Sequence, residues 1–359
     1  MSDVAPAPAL PKAAPAAAPR VAGVERRGAA DGAAQLQLAI VVDTEEEFDW
    51  GEPFARENRQ TRTIPAQARA HEIYARLGIV PTYVVDHPVA TDAGAAEFLG
   101  ALARAGEAEI GAHLHPWVTP PFDEAVTRRN TYHGNLPPDL ERAKIAALTA
   151  AIQAGFGLSP TVFKAGRYGF GAHTAGALVD LGYRVDCSFV PHVSFAGDEG
   201  PSFYGRPDRP FWLDAERRLL EVPLTSGFAG PLAGAAERRP AWFDSAAAAR
   251  LRVPGLLARL RLAERIRLSP EGHSIEEQCR LLRALAARGH TVFTLTYHSP
   301  SLAPGHTPYV RSDADLAAFL HRLEQVLIFF RDEMGGRFTT LTRYRDERLA
   351  SAAEARAAA

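Results

Sequence analysis

The sequence predicts an α/β protein built from repeating strand-helix units around a parallel sheet or barrel, and three observations carry that expectation. From Gln35 onward, short runs rich in Val, Ile, Leu and Phe alternate with longer Ala-, Leu- and Arg-rich segments at helical spacing. Several of those longer segments end in Gly, the usual residue just past a helix C-terminus. The side chains able to do chemistry, Asp43, Glu45, His113, His115, Lys164, Asp186 and His298, fall at the C-terminal ends of apolar runs. In parallel α/β folds that edge binds ligands.

The expected strands, in order, are LQLAIVV, VPTYVVD, AEIGAHLH, TVFKAG, YRVDCSF, LLEVPLT, TVFTLTYH and FTTLTRY. Each is a short β-branched or aromatic run bounded by turn residues. Between them TIPAQARAHEIYARLG, GAAEFLGALARAG, LERAKIAALTAAIQAGFG, GAHTAGALVDLG, SIEEQCRLLRALAARG and SDADLAAFLHRLEQVLIFFRDEM read as helices. Residues 226–272 break the rhythm with many arginines, and we take them as an insertion over or beside the ligand-binding edge. Residues 1–34, rich in Ala and Pro, lack the basic start and apolar core of a signal peptide and are expected to form a disordered tail; 349–359 are expected to be a C-terminal tail. The domain proper is then 35–348.

Composition narrows the partners. With 359 residues, 47% hydrophobic and 23% charged, the chain can bury a large core. A formal net charge of -2 gives no reason to expect nucleic acid. No run of about 20 apolar residues offers a membrane span, and two cysteines, Cys187 and Cys279, make no disulfide framework. The expectation is a soluble, cytoplasmic protein. Within the insertion, VPGLLARLRLAERIRL has the makings of a basic amphipathic helix for peripheral membrane contact, against the plainer reading of a solvated helical face. Arg238, Arg239, Arg252, Arg259, Arg261, Arg265 and Arg267 could bind phosphate or carboxylate groups.

The stretch VVDTEEEFDWGEP packs Asp43, Glu45, Glu46, Glu47 and Asp49 behind an apolar run, and like charges so close need a counterion, a proton or solvent. Asp43 and Glu45, two apart, share a strand face. One could ligate a metal while the other serves as base; the alternative is a solvated acidic loop. Glu46, Glu47 and Asp49 read as loop charges. His113 and His115 likewise share a face, and two imidazoles with a carboxylate make a catalytic metal set with open positions. His298 could protonate a leaving group or simply bond the loop backbone. Lys164 and Arg167 could orient a carboxylate or bind substrate, and a backbone N–H beside Tyr168 could steady an oxyanion. Gly166, Gly169 and Gly171 do not have dinucleotide-binding spacing.

Taken together, VVDTEEEFDWGEPF, EIGAHLHPW, FKAGRYGFG and YHSPSLAPG, in this order, resemble the polysaccharide deacetylases of carbohydrate esterase family 4, the NodB-homology group, and more narrowly its WalW-like branch tied to lipopolysaccharide biosynthesis. The resemblance runs from about Leu36 to Tyr344. It implies a deformed (β/α) barrel of about seven strands with a divalent metal at the strand C-termini, zinc first, with cobalt, nickel or manganese as alternatives. It implies Asp43 as base and Glu45 as metal ligand, although the family's adjacent Asp pair is here Asp-Thr-Glu. In the second motif the usual partner position, 117, is Trp, so His115 either joins His113 on the metal or lines the groove. Lys164, with Arg167 as substitute, stands where the family has an Arg that pairs with the base; Asp186 corresponds loosely to a residue that orients the acid; His298 matches the catalytic His. Trp50, Trp117 and Tyr168 are the expected substrate-binding side chains. The implied reaction is metal-assisted removal of an acetyl group, N-acetyl favoured, from a sugar of a cell-surface polysaccharide or lipopolysaccharide precursor. Hydrolysis of a non-sugar amide, and glycan binding without catalysis, are the alternatives.

Overall fold

The computed structural model of the chain describes residues 35–357; the Ala/Pro-rich tail lies outside the described residues. The strands are β1 (Gln37–Thr44), β2 (Thr82–Val85), β3 (Glu109–Leu114), β4 (Val162–Ala165), β5 (Val185–Asp186), β6 (Phe211–Trp212), β7 (Leu220–Glu221), β8 (Ser226–Ala229), β9 (Glu264–Arg267), β10 (Val292–His298) and β11 (Arg337–Phe338). The helices are α1 (Gln67–Leu77), α2 (His87–Thr91), α3 (Ala93–Arg104), α4 (Pro138–Phe156), α5 (Thr174–Asp180), α6 (Ala233–Arg238), α7 (Pro240–Phe243), α8 (Ala246–Arg250), α9 (Val253–Arg259), α10 (Ile275–Ala287), α11 (Asp313–Ile328) and α12 (Leu341–Ala357).

Seven parallel strands follow one another in the order β10-β1-β2-β3-β4-β5-β7, and β6 adds an antiparallel edge. The sheet curls into an incomplete barrel. At the seam, Thr294 donates its N–H to Thr225 Oγ1 (2.8 Å), Leu268 N–H reaches Thr225 O (2.9 Å), and Thr296 N–H reaches Leu268 O (3.2 Å). Single residues flanking the insertion therefore bridge the gap that a further strand would fill. Of the expected strand FTTLTRY only Phe338 is in β11, the short strand on β1, before α12 begins at Leu341. That helix runs past residue 348 to Ala357, so most of the expected C-terminal tail is helical.

Side-chain parity positions the site. On β1, Leu38, Ile40 and Val42 pack in the layer shared with the helices. Ala39 and Val41 join a second cluster with Val84, Val162, Val185, Cys187, Leu220 and Val292, closed by Leu341 and Tyr344 of α12. That second cluster fills the barrel interior, and the strand period of two carries the same face on to Asp43 and Glu45. His113 on β3, Lys164 on β4 and His298 on β10 extend the interior series in the same way. The interior is narrow at Gly111, where a Cβ would lie 2.8 Å from Val84 Cγ1 and 2.9 Å from Val162 O.

Local signals match the helices they border. Gly78 and Gly157 close α1 and α4 at positive φ (67° and 70°). Ser274 with Glu277, and Ser312 with Asp315, form reciprocal caps at the starts of α10 and α11. The insertion is β8 and β9 paired antiparallel, joined through four short helices, α6 to α9. VPGLLARLRLAERIRL is therefore not one amphipathic helix. Its first part is the seven-residue α9, and its last part is the strand β9, with Ile266 buried between Arg265 and Arg267. Among the described residues no helix is long and apolar enough to cross a membrane.

Candidate metal centre and active site

A cavity of about 410 Å³ opens at the C-terminal mouth of the barrel. Asp43, Glu45, His113, His115 and His298 line it, with Phe48, Trp50, Phe54, Trp117, Arg167, Tyr168, Arg267 and Tyr309 around them. Of the expected catalytic, metal-ligating and substrate-binding residues, all but Lys164 and Asp186 reach this cavity, and Lys164 bonds a residue that does; of the arginines of the insertion only Arg267 does.

Glu45, His113 and His115 converge: Glu45 Oε2 lies 3.5 Å from Nε2 of each histidine. Both rings are held from behind. His113 Nδ1 bonds the Lys164 carbonyl (3.1 Å), and His115 Nδ1 bonds Glu46 Oε2 (2.7 Å). With Nδ1 donating in each case, both Nε2 lone pairs face Glu45. Burial lowers the pKa of both imidazoles, that of His115 to about 4, so both are neutral at neutral pH. Burial, reinforced by Asp43, Glu46 and Asp86, pushes the Glu45 carboxyl well above the usual range. Its Oε1 and Asp43 Oδ1 are buried without a protein partner. A buried carboxylate among carboxylates, facing two neutral imidazole lone pairs, is a donor set that wants a cation. The spacing fits: a tetrahedral ion with bonds of about 2.0–2.1 Å sets its donor atoms about 3.4 Å apart.

Glu46 corrects the sequence reading. It is not a loop charge but fully buried, with Oε2 on His115, Oε1 accepting from Trp117 Nε1 (2.8 Å) and its N–H donated to Asp86 Oδ2 (2.6 Å). Strand β1 ends at Thr44, so strand alternation does not decide where Glu46 points. Glu47 is also engaged, accepting from Thr63 N–H (2.9 Å) and pairing with Arg62 (3.0 Å), whereas Asp49 is exposed.

Asp43 Oδ2 accepts from Lys164 Nζ, and His298 Nε2 stands 3.7 Å away. Burial alone would lower the Lys164 pKa, but Asp43 first, together with Tyr168 and Cys187, outweighs it and the net shift is upward. Lys164 thus remains a cation fully inside the protein. Arg167 does not share this role: its guanidinium pairs with Asp198, stacks 4.1 Å from the Tyr132 ring and forms part of the cavity wall.

Glu271, which the sequence reading passed over, holds His298. Its Oε2 accepts from His298 Nδ1 (2.8 Å), and its Oε1 accepts the His298 backbone N–H (3.1 Å) and the Ser301 hydroxyl (2.6 Å). Trp50 stacks edge-on against the His298 ring at 5.0 Å. Asp186 is the second correction. Val185 and Cys187 face the barrel interior, so Asp186 faces outward, bonds Ser188 Oγ (2.7 Å) and shares its surroundings with Glu221. It does not reach the cavity.

The loop after β3 is fixed by another buried cation. Lys144 Nζ on α4 donates to the carbonyls of Pro116 (2.9 Å), Thr119 (2.7 Å) and Pro121 (2.7 Å) and pairs with Glu124 (3.0 Å). This seats Trp117, which lies 4.3 Å from the His115 ring. On the other side Gly166 lets β4 pass beside His115; a Cβ there would lie 2.3 Å from His115 Cδ2.

Neither a protein-family model nor a curated protein matches the sequence. Among solved structures the chain is similar to one from Mycobacterium smegmatis named for polysaccharide deacetylation, with 16% identity, TM-score 0.54, and 92% of this chain and 96% of that one covered. Another from Pseudomonas aeruginosa PAO1, named likewise, has 14% identity, TM-score 0.49 and coverage of 87% and 90%. The allantoinase PuuE has 14% identity, TM-score 0.49 and coverage of 88% and 91%. The first likeness establishes the fold: the deformed barrel of polysaccharide deacetylase type that the motifs imply is the one the chain adopts.

Proposed function

We propose that the chain is a metal-dependent hydrolase that removes an acetyl group, N-acetyl in preference to O-acetyl, from a sugar of a cell-surface polysaccharide or lipopolysaccharide precursor. The observation that carries this reading is the convergence of Glu45 Oε2 with both histidine Nε2 atoms at 3.5 Å, beside a second carboxylate and a third imidazole. Glu45, His113 and His115 would hold the ion, and two nitrogens with one carboxylate suit zinc first. A divalent ion there supplies Lewis-acid polarisation of the acetyl carbonyl and of water.

The chain's own groups do the rest. Asp43, clamped through Oδ2 by Lys164, has Oδ1 available to take a proton from water. His298, with Nδ1 committed to Glu271, exchanges its proton at Nε2, the nitrogen that faces Asp43, and delivers it to the departing amine. A backbone N–H of the turn Gly166–Tyr168 is the candidate oxyanion donor, since those of Gly169 and Phe170 are already bonded to Gly166 O and Tyr168 O. Trp50, Trp117 and Tyr168 offer rings against which a sugar could stack.

Elemental analysis after chelation and refilling with zinc, together with acetate release from N-acetylated chito-oligosaccharide, tests the reading. Wild type should take up about one ion and His113→Ala should lose it. Asp43→Asn should keep the metal and lose about 10²–10⁴ in turnover. Absence of metal uptake by wild type, or full turnover by Asp43→Asn, would sink it.

A further inference from the structure

Three cations border the cavity region, and two are neutralised: Lys164 by Asp43 and Arg167 by Asp198. The third, Arg267, has no carboxylate partner among the described residues. Its Nη1 donates to Tyr168 Oη (3.1 Å), and its guanidinium lies 5.5 Å from the Tyr168 ring centroid. That ring is itself pinned, stacked on Phe195 at 5.1 Å with Lys164 Nζ 5.3 Å from its centroid. One aromatic ring therefore separates Arg267 from the cation that clamps Asp43.

The placement of Arg267 is built into the fold. It ends β9, opposite Ser226 on β8, and the next residue, Leu268, makes the bonds that close the barrel seam. Its N–H is tied to His273 Nε2 (3.3 Å). Neighbouring arginines of the insertion are spent elsewhere: Arg265 makes a two-pronged pair with Asp244 (2.8 and 2.8 Å), and Arg261 pairs with Glu276 (2.8 Å). A partly buried guanidinium with five donors and one neutral acceptor has most of its hydrogen-bonding capacity unmet. Its planar fork matches the paired oxygens of a carboxylate or phosphate.

We propose that Arg267 recognises an anionic group, a carboxylate or a phosphate, carried by the sugar that enters this cavity. The inference rests on the sugar deacetylase reading and narrows it to acidic or phosphorylated acetyl-sugars. Neutral acetyl-sugars leave the guanidinium without its ionic partner and bind more weakly.

The test is calorimetric binding of three probes to zinc-loaded protein: N-acetylglucosamine, N-acetylmuramic acid and N-acetylglucosamine 1-phosphate. At least one anionic probe should bind about tenfold or more tighter than the neutral one, the worth of one charge-assisted hydrogen bond, and the tighter of the two identifies carboxylate or phosphate as the source. Arg267→Gln should abolish the difference between that probe and the neutral sugar, while Arg267→Lys should retain part of the preference. Equal binding of all three by wild type, including no measurable binding of any, overturns the proposal, as does a preference that survives in Arg267→Gln. Acetate release from the same probes separates the two readings: a charge preference without acetate release refutes the deacetylase reaction and leaves the role of Arg267 standing.

Discussion

The barrel and the 226–272 insertion are built on opposite terms. In the barrel, apolar residues fill both faces of the strands and the polar groups at the mouth are mostly gripped by a second layer: His113 by a carbonyl, His115 by Glu46, Asp43 by Lys164. The insertion carries most of the exposed large hydrophobic residues, Leu232, Trp242, Leu251, Leu256 and Leu260, on or at the ends of short helices. Yet its final strand and turn deliver Arg267 to the cavity and Glu271 to His298. The difference teaches a division of labour. On the proposed reading, the barrel presents the cation site and the base, while the insertion orients the acid and offers the charge for substrate.

Matched substitutions behind the two histidines would break or sharpen that division, and they carry the largest effects. Glu46→Ala should weaken zinc affinity about 10–100-fold, read by competition with a chelator. Glu271→Ala should leave zinc affinity unchanged while lowering turnover by a similar factor and altering the pH profile of turnover. Loss of metal in both variants would erase the distinction. Next, Lys144→Met strips three carbonyls and Glu124 of their partner, and denaturant unfolding should show a loss of about 3 kcal/mol or more. A neutral result would mean that the loop carrying Trp117 does not depend on that cation.

The smallest effect concerns the outward face of the barrel. Burial, and then the adjacent Asp186, raise the Glu221 carboxyl well above its ordinary value. A carboxyl raised in the folded state favours folding below its unfolded pKa, and that contribution is lost as pH rises through the folded value. Glu221→Gln removes the group that must ionise, so metal-free variant should be more stable than wild type at pH 8, by on the order of 1 kcal/mol, with the gap closing toward pH 4. Lower stability of the variant across the whole range would show that its carboxylate is needed as such.

Much of this arrangement was legible in the chain because strands impose a period of two. Asp43, Glu45, His113, Lys164 and His298 stand at strand ends in step with interior positions, and all five converge. The same rule places Asp186 correctly once Val185 and Cys187 are taken as its interior neighbours. Glu46, Glu271 and Lys144 were not legible, since each is defined by a partner brought near only by folding: His115, His298 and the carbonyls of the loop after β3. The insertion misled for a local reason. Its apolar spacing suits a helix, but Arg261 at φ 56° breaks the chain between α9 and β9, and Glu-Arg-Ile-Arg pairs as a strand against β8.

The register of β1 against β10 sets an order of events during synthesis. Asp43 pairs with His298, 255 positions later (298 minus 43). At roughly 5–20 residues per second, a ribosome needs on the order of 13–50 s to cover that interval. Glu45, His113 and His115 all leave the ribosome long before, but β1 lacks its β10 neighbour until residue 298 has been made, and the interior lacks Leu341 and Tyr344 for longer still. A nascent chain thus carries all three candidate metal ligands, at the ends of β1 and β3, on a barrel not yet closed, exposed to whatever ions the surroundings hold.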